Sequence, residues 1–252
     1  MGLYSTATPY SMSEPVVVTA IGTSPAERLT AVRRRIERAA REAGRDPHEV
    51  SLIAVSKQQS VEAVAALADL GQRDFGENYL QEGLAKIEAL RDRRLTWHFI
   101  GQLQSNKTRP VAECFDWVHT VDRPKIAARL SEQRPFHAPP LCVCVQVKLG
   151  NEASKGGVSP ADLPVLLDTI EQLPRLRLRG LMAIPPAETD PSRQRHWFAE
   201  LRGLLEAARQ HHPDLDTLSM GMSADLEAAI AEGATHVRIG TALFGERLQS
   251  PA

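Results

Sequence analysis

A lysine and two glycine–hydroxyl turns are the residues of this chain whose types and spacing could do chemistry. Lys57 directly follows the apolar segment 51–56, and a lysine partly removed from water there could supply a free amine for imine formation. The turns Gly221-Met222-Ser223 and Ile239-Gly240-Thr241 each precede a helical pattern. A glycine, a hydroxyl and free helix N–H groups suit a bound phosphate. The alternatives are a solvated lysine and ordinary helix capping by the two hydroxyls.

These residues fall at segment ends in a regular alternation of strand and helix patterns. A first amphipathic helix is predicted to begin at Pro25, after the capping residue Ser24, and to end at Gly44. Strands are then predicted at 51–56, 73–75, 96–100, 117–120, 141–148, 176–182, 217–219 and 236–239. Helices are predicted between them, at 61–70, 80–90, 107–114, 124–131, 160–173, 193–211 and 224–232.

The alternation predicts parallel strands joined by crossover helices. Eight such units match a single α/β (β/α)8 TIM-type barrel with an extra N-terminal helix. The alternative is a doubly wound dinucleotide-binding sheet, which lacks support because no G-x-G-x-x-G follows a strand. We expect one barrel domain over 24–252 and a disordered tail, rich in Ser, Thr and Pro, over 1–23.

Composition narrows the classes of function. The chain has 252 residues, with 30 Lys and Arg against 31 Asp and Glu, a net charge of −1 that offers no basic surface for nucleic acid. No apolar run approaches the roughly 20 residues of a membrane span. The three cysteines suit neither a disulfide framework nor a metal site. We expect a cytoplasmic protein without metal, and a solvated face for the charge run Arg33-Arg34-Arg35 on the first helix.

In a barrel of this kind ligands bind at the carboxyl ends of the strands, and phosphate binds after strands seven and eight. The two glycine–hydroxyl turns lie at those two strands, which favours phosphate over simple capping. A phosphate site and an imine-forming lysine in one mouth suggest pyridoxal 5′-phosphate (PLP).

Long motifs then resemble one known family, the pyridoxal phosphate homeostasis proteins, over about residues 28–248. The motifs, in chain order, are Ala54-Val55-Ser56-Lys57, Phe75-Gly76-Glu77-Asn78, Trp97-His98-Phe99-Ile100-Gly101, Gly180-Leu181-Met182, Leu218-Ser219-Met220-Gly221-Met222-Ser223 and Arg238-Ile239-Gly240-Thr241. The resemblance implies a barrel like the N-terminal domain of alanine racemase.

The resemblance also implies a set of cofactor-binding residues. It places PLP as a covalent aldimine on Lys57, with Arg238 facing the pyridine nitrogen. His98 is implied as a pocket residue near the ring, although its spacing alone favours a core histidine. The phosphate and the remaining pocket wall fall on Asn78, Met222, Ser223, Gly240 and Thr241.

The implied role is to bind and deliver PLP and to keep vitamin B6 and amino-acid pools balanced, without efficient turnover. An arginine at the ring nitrogen leaves that nitrogen unprotonated and weakens PLP as an electron sink. In alanine racemases a second base, a tyrosine, comes from a separate C-terminal domain. The tyrosines here are Tyr4, Tyr10 and Tyr79, and we expect no catalytic residue.

Three other functions stay open from the residues alone: a small PLP-dependent racemase, a sugar-phosphate isomerase or aldolase barrel using Lys57 without PLP, and a structural module without cofactor. The expected partners are PLP and, transiently, PLP-dependent apoenzymes, and the expected state is a monomer. Lys107 or Lys155 could accept PLP during transfer, although solvated side chains are favoured for both.

Overall fold

The computed structural model describes residues 24–150 and 156–245. The expected tail over 1–23 and Lys155 lie outside these residues. The described strands are β1 (Ser51–Val55), β2 (Asp74–Glu77), β3 (Thr96–Phe99), β4 (Trp117–Val121), β5 (Leu141–Gln146), β6 (Leu176–Met182), β7 (Thr217–Ser219) and β8 (His236–Ile239). The helices are α1 (Pro25–Glu42), α2 (Val61–Asp69), α3 (Leu80–Ala89), α4 (Thr108–Cys114), α5 (Pro124–Gln133), α6 (Leu163–Glu171), α7 (Pro191–Ala208), α8 (Leu226–Ala231) and α9 (Thr241–Phe244).

The eight strands form a closed parallel barrel in chain order. Strand β1 pairs with β8 in the register Ser51↔His236 to Ala54↔Ile239, which closes the sheet. The barrel predicted from the sequence, with its extra N-terminal helix, is therefore confirmed. Helix α6 begins three residues later than predicted, because Ser159 and Asp162 form a hydrogen-bonded turn before it.

Gly180 lets strands β6 and β7 approach closely. A Cβ atom at this position would lie 1.9 Å from the backbone oxygen of Thr217 and 2.7 Å from its carbonyl carbon. Gly180 pairs with Thr217 across the β6–β7 ladder, so the close contact lies inside the barrel wall. Only a residue without Cβ fits this pairing.

Helix α1 packs beside α8 and α9, the helices that precede and follow β8. Its capping residue Ser24 forms a capping box with Glu27, as the sequence predicts for the helix start. Arg35 donates from Nη2 to the backbone oxygen of Ser223 at 3.1 Å and forms a bidentate ion pair with Glu227. The interpretation of this charge run as a solvated face is therefore wrong for Arg35, which anchors the loop after β7.

A column of polar side chains fills the barrel interior. Arg238 donates to Ser219 Oγ, and Ser219 Oγ lies 2.8 Å from His119 Nδ1. The other ring nitrogen of His119 is 2.9 Å from His98 Nδ1, and His98 Nε2 is 3.1 Å from Asp74 Oδ1. The hydrogen-bonded column thus runs from the carboxyl ends of the strands to Asp74, at the amino end of β2.

None of the described helices is long and apolar enough to cross a bilayer.

Two histidines predict a fold that weakens in acid: His119 of this column and His236, whose ring lies 6.1 Å from the His119 ring. Burial, reinforced by nearby charges, holds the pKa of His119 well below its ordinary value. Burial also lowers the pKa of His236 to about 4, although the carboxylates of Asp74 and Asp216 oppose the shift. The unfolded chain binds a proton on each histidine near pH 6.5, whereas the folded chain does so only at a lower pH. The free energy of unfolding therefore falls as the pH drops from about 6.5 toward 4, by up to ~1.4 kcal/mol per pH unit for each histidine.

Urea unfolding of the wild type and His236→Asn over this pH range measures the effect. The informative quantity is the difference between the two proteins, because burial raises the pKa of the Glu77 and Asp225 carboxyls, which contribute with the opposite sign. We expect the wild type to lose stability relative to the variant as the pH falls. Parallel stability curves would contradict this prediction.

Candidate functional site

A cavity of about 320 Å³ opens at the carboxyl ends of the strands. Apart from His98, all the site residues predicted from the sequence line it, so the fold brings together side chains that are far apart in the chain. The lining consists of Val55, Lys57, Gln59, Asn78, Ile100, Ile184, Met222, Ser223, Ala224, Arg238, Gly240, Thr241 and Gly245.

His98 lies elsewhere. Its side chain is fully buried in the barrel interior, within hydrogen-bond distance of His119 and Asp74, and its ring stacks on Trp117 at a centroid distance of 5.6 Å. It is not among the residues that line the cavity. The core position that its spacing favoured is the one observed, and the pocket position implied by the resemblance is not. The reason is that the His98 side chain points into the barrel below the mouth.

The loops after β7 and β8 present two hydroxyls to the cavity. Ser223 precedes α8, but the helix begins after Asp225 and has no side-chain cap. Thr241 is the first residue of α9, whose capping residue is Gly240. The capping alternative therefore does not account for either hydroxyl. The backbone N–H of Met222 donates to Asp225 Oδ1 at 2.5 Å, and this hydrogen bond stabilises the loop after β7.

Arg238 supplies a buried cation at the base of the cavity. Its guanidinium donates from Nη1 to Ser219 Oγ at 2.8 Å and from Nη2 to the backbone oxygen of Ala183 at 3.0 Å. Burial lowers the pKa of Arg238 to about 10, against the opposing charge of Asp225. The side chain stays protonated at neutral pH, so it offers only hydrogen-bond donors to a ligand.

Asn78 contributes a side-chain oxygen that can accept a hydrogen bond. Among the described residues its Oδ1 is buried and has no hydrogen-bond partner, although the residue lines the cavity. Gly101 allows its backbone to lie there, since a Cβ on Gly101 would be 2.0 Å from the Asn78 carbonyl oxygen. A buried polar atom without a partner is costly. This atom therefore fits a site that binds a polar ligand.

The sequence does not predict the buried ion pair between Glu77 and Lys86, near Lys57. Glu77 belongs to the motif Phe75-Gly76-Glu77-Asn78, but its contact with Lys86 joins β2 to α3, which no local pattern indicates. Lys86 sits on a helix with Glu82 one turn before it, a spacing that ordinarily indicates an exposed ion pair. The one signal in the sequence is a glycine inside the helix, Gly83: a Cβ there would be 2.9 Å from Phe115 and 3.3 Å from Glu77, so the helix lies close to both.

Comparison with known proteins places the chain in a family. The family model for the alanine racemase N-terminal domain matches residues 28–248. A curated relative from Pseudomonas aeruginosa, named pyridoxal phosphate homeostasis protein, is 60% identical over 222 residues, which cover 88% of this chain and 95% of the relative. A relative of the same name from Escherichia coli K12 is 51% identical over 225 residues, covering 88% and 96%.

Solved structures agree with this placement. PipY of Synechococcus elongatus, described with PLP bound, is 41% identical with a TM-score of 0.78 and covers 88% of this chain and all of that one. Alanine racemase of Corynebacterium glutamicum, at 18% identity and a TM-score of 0.63, covers 89% of this chain and 63% of its own, and shows a shared fold alone. The chain therefore belongs to the pyridoxal phosphate homeostasis proteins, within the family of the alanine racemase N-terminal domain.

Proposed function

We propose that this protein binds PLP in the cavity at the mouth of the barrel and serves PLP homeostasis in the cell. One observation carries the proposal: an amine, two hydroxyls and a buried guanidinium, from Lys57, Ser223, Thr241 and Arg238, line one cavity of about 320 Å³. PLP needs an amine for its aldehyde, donors for its phosphate and a partner for its ring nitrogen. The relative described with PLP bound supports the same assignment.

Each lining residue has a distinct part in the proposal. Lys57 holds the cofactor covalently, as an aldimine. Ser223, Gly240 and Thr241 bind the phosphate, with Met222 beside them. The ring has two neighbours: Arg238 donates to its nitrogen, and Asn78 lines the pocket near it.

The protein is proposed to hold PLP rather than to turn over amino acids. PLP supplies an electron sink, which is strongest when its ring nitrogen is protonated. Arg238 is cationic at neutral pH, because its pKa of about 10 is far above that of a pyridine nitrogen, so it donates a hydrogen bond to this nitrogen and keeps its own proton. The one tyrosine among the described residues, Tyr79, is 54% exposed and lines a neighbouring cavity, away from Lys57. The names of the curated relatives also describe homeostasis rather than a reaction.

The absorption spectrum of the purified protein tests cofactor binding. We expect an imine band, either in the protein as isolated or after addition of one equivalent of PLP, and its loss on borohydride reduction. Peptide mapping of the reduced protein should place the phosphopyridoxyl group on the peptide that contains Lys57. Absence of an imine band at every PLP concentration would overturn the proposal. It would instead favour an isomerase, an aldolase or a structural module without cofactor.

A separate assay tests the absence of turnover. The PLP-loaded protein is incubated with single D- and L-amino acids, and racemisation and decarboxylation are followed by chiral chromatography. We expect no steady product formation above that of free PLP. Continuous racemisation by the loaded protein would replace the carrier role with that of a small racemase.

Delivery of PLP to apoenzymes, a monomeric state and a cytoplasmic location stay predictions. Exposed large apolar side chains support the monomer: among the described residues the two that share a surface, Ile184 and Met222, line the cavity at the mouth, and the other four stand in or beside different helices. These exposed side chains are Leu70, Tyr79, Phe136, Val165, Ile184 and Met222.

A further inference from the structure

A buried ionic cluster lies under the turn that carries Lys57. Lys86 of α3 is only 3% exposed, and its ammonium donates to the backbone oxygen of Ser56 at 2.6 Å. It also donates to Glu77 Oε1 at 2.8 Å and to Glu82 Oε1 at 2.6 Å. An ammonium has three donor hydrogens, so these three acceptors use all of them. Separating the partners of a buried ion pair would leave an uncompensated charge, and this cost keeps the cluster together.

The cluster contacts the residue on each side of Lys57. On the preceding side, the Ser56 carbonyl accepts from Lys86, and the Ser56 hydroxyl donates to Glu77 Oε1 at 2.6 Å. On the following side, the backbone N–H of Gln58 donates to Glu82 Oε1. Helix α3 therefore holds the chain at both ends of Lys57, while the Lys57 side chain lines the cavity.

The backbone after Lys57 needs such support. Gln58 has a φ of 61°, in the left-handed region that residues other than glycine seldom adopt. This conformation is strained and persists only where surrounding contacts maintain it. The Glu82 carboxylate is a contact of this kind, and Lys86 holds that carboxylate in place. Moving Lys86 therefore releases the turn from both sides.

We propose that Lys86 is a positioning residue for Lys57, acting through Glu82 and Ser56, and that it sets where the amine stands relative to a phosphate-anchored PLP. The inference rests on the proposed function. In the step concerned, the Lys57 nitrogen bonds to the aldehyde carbon of PLP. The carbon–oxygen bond then breaks, and the oxygen leaves as water with the two amine protons. Because a displacement of about 1 Å can slow an oriented reaction roughly 100-fold, this step is sensitive to the cluster.

The proposed phosphate loops lie on elements other than α3, the helix that carries Lys86. Ser223 and Thr241 follow β7 and β8, and the loop of Ser223 is anchored by Arg35 from α1 rather than by α3. Loss of the cluster should therefore impair imine formation and leave the phosphate site intact. General damage to the fold would impair both together.

Stopped-flow mixing of the apoprotein with PLP measures the rate constant of imine formation, and competition by inorganic phosphate measures the phosphate site. We expect Lys86→Met and Glu82→Ala to slow imine formation roughly tenfold or more, with unchanged affinity for inorganic phosphate. Glu82→Gln should stay near the wild-type rate, because its amide oxygen still accepts from Gln58. Lys125→Met, an exposed lysine on α5, is the matched control and should not change the rate.

The outcomes separate this inference from the proposed function. If the wild type forms no imine, the proposed function is overturned and this inference with it. If the wild type forms the imine and the Lys86 and Glu82 variants form it at the same rate, only the positioning role is overturned. A fall in phosphate affinity equal to the fall in rate would also overturn it. Should Lys86→Met not fold, Glu82→Ala decides, because the Glu82 side chain is already 26% exposed.

Discussion

Replacing Lys57 with alanine is expected to abolish the imine band at one equivalent of PLP. Among the residues that line the cavity, Lys57 alone carries a primary amine. A guanidinium such as that of Arg238 stays protonated at neutral pH and does not substitute for it. The variant should keep its fold, because the Lys57 side chain is half-buried at the mouth rather than packed in the core. Circular dichroism checks the fold, and the visible spectrum checks the imine.

Lys107→Ala is the matched control for this change. Lys107 is exposed and lines a neighbouring cavity together with Asn78, so it is the described lysine next to the site. Its removal should leave the band unchanged. A band that persists in Lys57→Ala and disappears in the double variant would assign the imine to Lys107 instead. A band that persists in both would direct attention to Lys155.

Replacing Gly180 with alanine is expected to destabilise the fold by more than about 3 kcal/mol, because the new methyl group would overlap backbone atoms that cannot rotate away. Its Cβ would lie within 3 Å of the nitrogen, carbonyl carbon and oxygen of Thr217. The substitution must therefore push β6 from β7 and open the wall of the barrel. Urea unfolding followed by circular dichroism measures the change in free energy of unfolding.

Gly203→Ala is the control, because it makes the same glycine-to-alanine change at a position without close contacts. Gly203 lies in α7, is exposed, and would have no atom within 4 Å of an added Cβ. Alanine there should stabilise the protein by about 0.5–1 kcal/mol, since glycine is a poor helix former. Equal effects of the two substitutions would show that the close approach of β6 and β7 does not limit stability.

Much of the fold followed from local patterns. The alternation of short β-rich segments with helical ones predicted all eight strands, because each βα unit carries its own periodicity. The site was predicted for a related reason: the ends of parallel strands meet at one edge, so residues after different strands converge. Lys57, Ser223 and Thr241 could be assigned to one mouth in this way.

What could not be predicted are contacts that depend on side-chain direction between elements. His98 lies on a strand that reaches the mouth, but its side chain points into the barrel and joins His119. Arg35 belongs to a run of charges typical of a solvated face, yet it binds the Ser223 carbonyl. Lys86 has the spacing of an exposed helical ion pair and is buried instead. Lys86 also contacts Glu77, on a different element. These three contacts between elements join residues at least nine positions apart, beyond the range of a local pattern.

The contact between Arg35 and Ser223 has a consequence for synthesis on the ribosome. The two residues are 188 positions apart, and β1, which pairs with β2 on one side, finds its other partner only in β8. The strand before Lys57 is made early, whereas the turns after β7 and β8 and the seam that holds them are made last. Long-range pairing of this kind is slow because the chain must be ordered before the contact forms. A nascent chain therefore presents no complete cavity at the mouth until α9 has emerged, and PLP binding there, as proposed, would report on a finished barrel.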